Sequence, residues 1–237
     1  YRIYSMTKPI ISLAVAIAFE QEKLQFKESL IKYLPEFKNA KVKLNPGSFE
    51  PLKRSITIFD LLTHNAGLSY GFNRSCLIGR MYKNDKLINQ SKLSLKEFVE
   101  KLARYPLDFQ PVTKWRYSLA TDVLARVLEI VYDKPIEKIL AELIFKPLKM
   151  TDTAFFVPKE KKFRLMPVYG EPNLDDVTKA SSKRKQSSVV DLSDFYPWKK
   201  EDYKPRGGHG LFSTINDYSK FCKAIIDDPK QNKNKLI

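Results

Sequence analysis

Apolar residues recur at helical spacing over residues 8–24, 94–104, 119–133, 135–146 and 214–226, and this period predicts a helix in each stretch. Ser94-Leu-Lys-Glu97 reads as a capping box that opens the second of them, since a serine and a glutamate three residues apart can exchange side-chain and backbone hydrogen bonds. Strand signals are few and short, at 55–58, 154–157 and 163–168. Residues 170–206 form a long polar stretch rich in Lys, Ser, Asp and Pro, the composition of a functional or mobile loop. No internal repeat is visible. A helix-rich order with isolated short strands predicts an α+β fold and speaks against a doubly wound parallel sheet.

The longest apolar run, residues 9–19, has eleven residues and is bounded by Lys8 and Glu20. A membrane span needs about 20, so the run predicts a buried core helix and no transmembrane segment. A chain of 237 residues with 43% hydrophobic residues can enclose a sizeable core. No charged leader or cleavage site precedes Tyr1, and the chain enters on what reads as the end of a strand, so a fragment is expected.

The formal charge of +15 would suit anionic partners. The lysines are scattered, however, and the one dense cluster, Lys179 to Lys185, is interleaved with serines rather than aromatics. A solvated basic surface is expected, and no nucleic-acid partner. Cys76 and Cys222 allow at most one disulfide and lack metal-ligand spacing. Cys222 falls with Tyr218, Phe221 and Ile225 on one apolar side, the setting of a small buried hydrophobe. No metal or other cofactor is expected.

Ser-x-x-Lys occurs three times, at Ser5, Ser29 and Ser182. Ser182 lies in the polar basic stretch, where lysines stay solvated, and Ser29 lies close to a helix stop at Pro35. Ser5 alone opens a long apolar helix. On a helix, residues three apart are surface neighbours, so the Lys8 amine can reach the Ser5 hydroxyl. A lysine takes a proton from serine only in its neutral form, which burial and neighbouring cations favour. The bland alternative for Ser5 is a simple helix cap. Gly67-Leu-Ser-Tyr-Gly71 matches the nucleophile elbow of α/β-hydrolases, but a helical turn precedes it and a loop follows, where an elbow needs a strand and then a helix.

Five ordered blocks give the chain a resemblance to the serine β-lactamase and penicillin-binding-protein superfamily, in the branch of class C β-lactamases and related esterases. They are Tyr1-Arg-Ile-Tyr-Ser-Met-Thr-Lys-Pro-Ile10, Ile56-Thr-Ile-Phe-Asp-Leu-Leu-Thr-His-Asn-Ala-Gly-Leu68, Lys114-Trp-Arg-Tyr-Ser-Leu-Ala-Thr-Asp-Val-Leu124, Phe145-Lys-Pro-Leu-Lys-Met-Thr-Asp-Thr153 and Gly207-Gly-His-Gly-Leu-Phe-Ser-Thr214. The resemblance implies one domain over 1–237, a helical part beside an antiparallel sheet flanked by helices, with the sheet incomplete and the site in the cleft between them. It implies Ser5 as nucleophile, with Lys8 and Tyr117 as its proton acceptors. A literal Tyr-x-Asn stands at Tyr82-Lys-Asn84, but Tyr117, behind Trp115-Arg116 and ahead of a helix, matches the family's setting.

By the same resemblance Leu119 stands where the family's asparagine holds the substrate amide, and His209 and Gly210 line the substrate pocket. A leucine cannot make that hydrogen bond, which turns the expectation toward a small-molecule ester, with an amide, a β-lactam or a D-Ala-D-Ala peptide as alternative substrates. A binding protein of the same fold without turnover is the other alternative. The family's third motif lies beyond Ile237, and with it one of two oxyanion donors; the Ser5 N–H is expected to be the other.

Overall fold

Helix α1 (Thr7–Glu20) is apolar almost all round, and such a helix is stable only when enclosed. The computed structural model describes residues 1–44, 47–73, 75–87, 93–170, 188–191 and 204–227, and in it α1 packs along α5 (Ala120–Tyr132). Ile10, Ile11, Val123, Leu124 and Leu128 are fully buried between these helices and their neighbours. Enclosing each side chain of this size contributes roughly 1.5–3 kcal/mol. Around α5 also gather α2 (Ile58–Leu62), α4 (Leu95–Leu102) and α6 (Ile136–Leu140), which widens into a π turn over Ala141–Phe145. Helix α7 (Ile215–Ile226) closes the described chain.

Each expected helix appears, with shifted ends. The first stops at Glu20, four residues short of the periodic stretch, and Glu22 soon after takes a left-handed φ of 56°. The Ser94–Glu97 capping box forms as read. Helix α3 (Leu77–Asn84) was not expected, because its 8 residues repeat the helical period too few times and no capping box announces it. Tyr82 of the literal Tyr-x-Asn is buried on that face, away from solvent.

The strand expectations need correction. Thr57 makes a single bridge with Ser29, after which Thr57 and Asp60 form a second capping box and start α2 inside the expected strand. Of 154–157 only Ala154 bridges, to Phe212, and 163–168 yields the end of a 3-10 turn before β3 (Val168–Gly170). Two antiparallel ladders are described, β1 (Lys41–Lys43) with β2 (Phe49–Pro51), and β3 with β4 (Ser188–Asp191). Isolated antiparallel bridges also join Arg2 to Phe212 and Phe212 to Ala154. Ile3 N–H donates to Leu211 C=O (3.0 Å), Ser213 N–H to Tyr1 C=O (3.0 Å) and Phe212 N–H to Ala154 C=O (2.8 Å).

Gly207 anchors this arrangement to α5, since a Cβ there would fall 2.3 Å from Thr121 C=O. Any side chain would push the segment off the helix. Both cysteines are free thiols, Cys76 buried and Cys222 half-buried. Ser182, the basic cluster from Lys179 to Lys185 and most of the polar stretch lie outside the described residues. Among the described residues, no helix is long and apolar enough to cross a membrane.

Candidate active site

Tyr4 takes a φ of 42°, in the left-handed region that a bulky side chain rarely occupies. This turn sends the chain from the bridge at Arg2 into a 3-10 turn, Tyr4–Met6, that runs directly into α1. Strain of this kind, about 1–3 kcal/mol, gathers at functional sites. Helical backbone therefore continues from Ser5 to Lys8 and stacks the two side chains on one face. Neither the turn nor α1 uses a side-chain cap, so the Ser5 hydroxyl is not engaged in capping.

Ser5 is exposed, whereas Lys8 is buried, at 7% exposure. The amine donates to Ser5 Oγ (3.3 Å), to Tyr70 Oη (3.3 Å) and to the Gly208 carbonyl (2.6 Å). Tyr117 Oη lies 2.7 Å from Ser5 Oγ, and Lys8 Nζ stands 4.7 Å from the centre of the Tyr117 ring. An ammonium has three N–H bonds and meets three acceptors here. A neutral amine keeps two, enough for Gly208 and Tyr70, and turns its lone pair to Ser5.

Two segments zip together to bring the tyrosines side by side. Asp108 N–H donates to Gly67 C=O (2.7 Å), Val112 to Asn65 (2.9 Å), Arg116 to His64 (3.0 Å) and Leu119 to Ser69 (3.2 Å). Asp108, paired with Lys43 and Arg116, pins the second segment. Gly67 permits the close approach, because with φ of 84° its absent Cβ would sit 2.3 Å from Phe109 C=O. The rings of Tyr70 and Tyr117 then stack, 5.4 Å apart and 15° from parallel. Burial, and after it the charge of Asp122, pushes the Tyr70 phenol well above its ordinary value, so it stays protonated.

His64, with φ of 57°, places its ring against Tyr117 at 5.0 Å and its Nδ1 3.1 Å from Ser118 Oγ. Burial first, and the Lys8 charge second, holds the imidazole down at about 4. His64 is thus neutral near pH 7.

Ser5, Lys8 and Tyr117 are brought together. His209 and Gly210 follow Gly208 in the chain, both half-buried. Burial lowers the His209 imidazole, opposed by the Asp122 charge. Gly210, at φ of 116°, turns the chain past the Phe155 ring. The expectation for Leu119 is corrected: its side chain is 0% exposed in the core at the head of α5, with no surface open to a ligand. Ser69 is also buried, with its hydroxyl on Cys76 Sγ (3.5 Å) and no strand before it, so no elbow forms. Among the described residues no group of three or more His, Cys, Asp or Glu could hold a metal ion.

Sequence reasoning missed Tyr70, the Gly208 carbonyl and Asp122, whose Oδ1 accepts the Gly208 N–H (3.0 Å). Asp122 did carry a signal, a carboxylate between the apolar residues Ala120, Val123, Leu124 and Ala125.

A family model described as Beta-lactamase matches residues 1–236. An uncharacterized protein of Mycobacterium tuberculosis is 32% identical over 232 residues, covering 96% of this chain and 54% of that protein. The esterase EstB of Burkholderia gladioli is 30% identical over 237 residues, covering 97% of this chain and 57% of the esterase. The solved structure of EstCE1, a hydrolase with promiscuous acyltransferase activity, has a TM-score of 0.72 at 25% identity and covers 94% of this chain and 58% of that one. The chain therefore spans a little over half the length of the relatives it matches.

Proposed function

The chain belongs to the beta-lactamase family, with the β-lactamase/transpeptidase-like fold, and from that premise we propose that it is a serine hydrolase that cleaves a small-molecule ester through an acyl-serine. The observation that carries this reading is the Ser5 hydroxyl, exposed, free of capping duty, and within hydrogen-bond reach of both Lys8 Nζ and Tyr117 Oη.

Lys8 takes the proton as Ser5 Oγ attacks the ester carbonyl, with Tyr117 sharing it. The bond from Oγ to the acyl carbon forms and the bond to the leaving alcohol breaks, with the alcohol taking the proton from the same pair. Water then attacks the acyl-serine, gives its proton to that pair, and releases the acid. The Ser5 N–H, at the head of the turn before α1, holds part of the oxyanion. Tyr70 and the Gly208 carbonyl fix the amine so that a short proton path to Ser5 is kept.

An ester is favoured over an amide by the esterase named among the relatives.

Exposure to a fluorophosphonate probe followed by peptide mapping tests the reading. An adduct on the peptide that contains Ser5, absent from Ser5→Ala, is the expected result. A folded protein left unlabelled at Ser5 would discard the mechanism.

A further inference from the structure

We propose that Asp122 is a positioning residue for Lys8 that acts through Gly208, an inference that rests on Lys8 being the base for Ser5. The Asp122 carboxylate, in the first turn of α5, is 0% exposed. Its Oδ1 accepts the Gly208 N–H at 3.0 Å, and the carbonyl of the same glycine accepts the Lys8 amine at 2.6 Å. Gly208 is thus held at both ends, by the carboxylate on one side and the amine on the other.

The second oxygen, Oδ2, is buried without a hydrogen-bond partner among the described residues. It occupies the space a side chain at 208 would need: a Cβ there would come within 2.5 Å of Oδ2 and 3.0 Å of Tyr70 Oη. The carboxylate and the glycine therefore require each other. Enclosing a charge with one oxygen unsatisfied is costly, and an apolar residue on this otherwise apolar part of α5 would serve packing better. The charge instead faces the buried Arg206, whose guanidinium lies over the Phe98 ring at 4.5 Å. Satisfying the buried Gly208 N–H is one role of this arrangement, and holding the amine in one place is the other.

The test compares Asp122→Ala and Asp122→Asn with the unaltered chain in two measurements, saturation kinetics of fluorophosphonate labelling and hydrogen exchange of the Gly208 amide. A misplaced amine slows chemistry by about 10²-fold. Asp122→Ala is expected to slow the labelling step by that factor with unchanged probe affinity, and to speed Gly208 exchange. Asp122→Asn keeps an oxygen for the Gly208 N–H and is expected to recover most of both losses. Labelling by the Ala variant at the original rate, an Asn variant as slow as Ala, or unchanged Gly208 exchange would each overturn the proposal. Absence of labelling in the unaltered chain would reject the hydrolase reading, and Gly208 exchange would then decide the placement by itself. If the Ala variant does not fold, Gly208→Ala carries the test, with slowed labelling expected and the original rate overturning the proposal.

Discussion

The chain carries the same four-residue pattern twice within its described part, and the two copies end in opposite states. Ser5 and Lys8 lie on continuous helical backbone, with the amine buried against the serine. Ser29 instead takes an extended φ and ψ of −69° and 133° ahead of the 3-10 turn Leu30–Lys32, which breaks the helical stacking that would bring the two side chains together. Lys32 stays 58% exposed and pairs with Glu28, which also accepts the Tyr33 hydroxyl. The Ser29 hydroxyl is buried with no partner among the described residues. Spacing therefore offers an encounter, and backbone conformation with burial decides whether it occurs.

Removing each lysine is the strongest way to break this contrast. Lys8→Ala is expected to slow fluorophosphonate labelling of Ser5 by about 10²–10⁴-fold, the usual contribution of a positioned base. Lys32→Ala is expected to leave the labelling rate as it was. Equal losses in both would mean that the Ser5 copy has no special standing.

Next in size is Tyr117→Phe, which deletes the hydroxyl 2.7 Å from Ser5 Oγ and keeps the stacked ring. Labelling is expected to slow by about 10²-fold at unchanged thermal stability, and a loss of stability instead would assign the hydroxyl to packing.

His64 tests the burial side of the comparison through pH. Its folded-state value, about 4, lies below the ordinary 6.5, so between these values the unfolded chain binds the extra proton. The contribution of His64 is complete above about 6.5 and is lost as pH falls toward 4. His64→Asn suits the left-handed backbone at this position and should lose less stability on acidification, measured by urea unfolding at pH 7 and pH 4.5. Parallel losses in both proteins would remove His64 from the account.

Ser29→Ala is the smallest change. Deleting a buried hydroxyl without a partner is expected to leave stability unchanged or raise it by up to ~1 kcal/mol in urea unfolding. A clear loss would reveal a bond that the hydroxyl makes.

Helices were legible where apolar residues run on for 13 or 14 residues, as in α5 and α1, and illegible in α3, 8 residues long and without a capping box. The β1–β2 ladder escaped because Lys-Val-Lys and Phe-Glu-Pro are too short and polar to show alternation. The 55–58 stretch looked like a strand from its β-branched residues, until the Thr57 and Asp60 side chains closed a helix start over it. Ser5 and Lys8 could be named because they open a recognisable apolar helix, and Tyr117 through the family resemblance of the stretch around Trp115-Arg-Tyr117. Tyr70 could not, since it lies 62 positions from Lys8 and meets it only in the folded chain. The Gly208 carbonyl is backbone, and no side-chain pattern announces it.

The bond from Lys8 to Gly208 spans 200 positions of sequence, and Tyr1 and Ile3 meet residues 213 and 211 beside it. Contacts this distant form late, after the entropy of closing so long a loop has been overcome. A ribosome makes Ser5 and Lys8 first and residue 208 near the end of this stretch. The nascent chain therefore carries its serine and lysine through synthesis without the carbonyl that meets the amine.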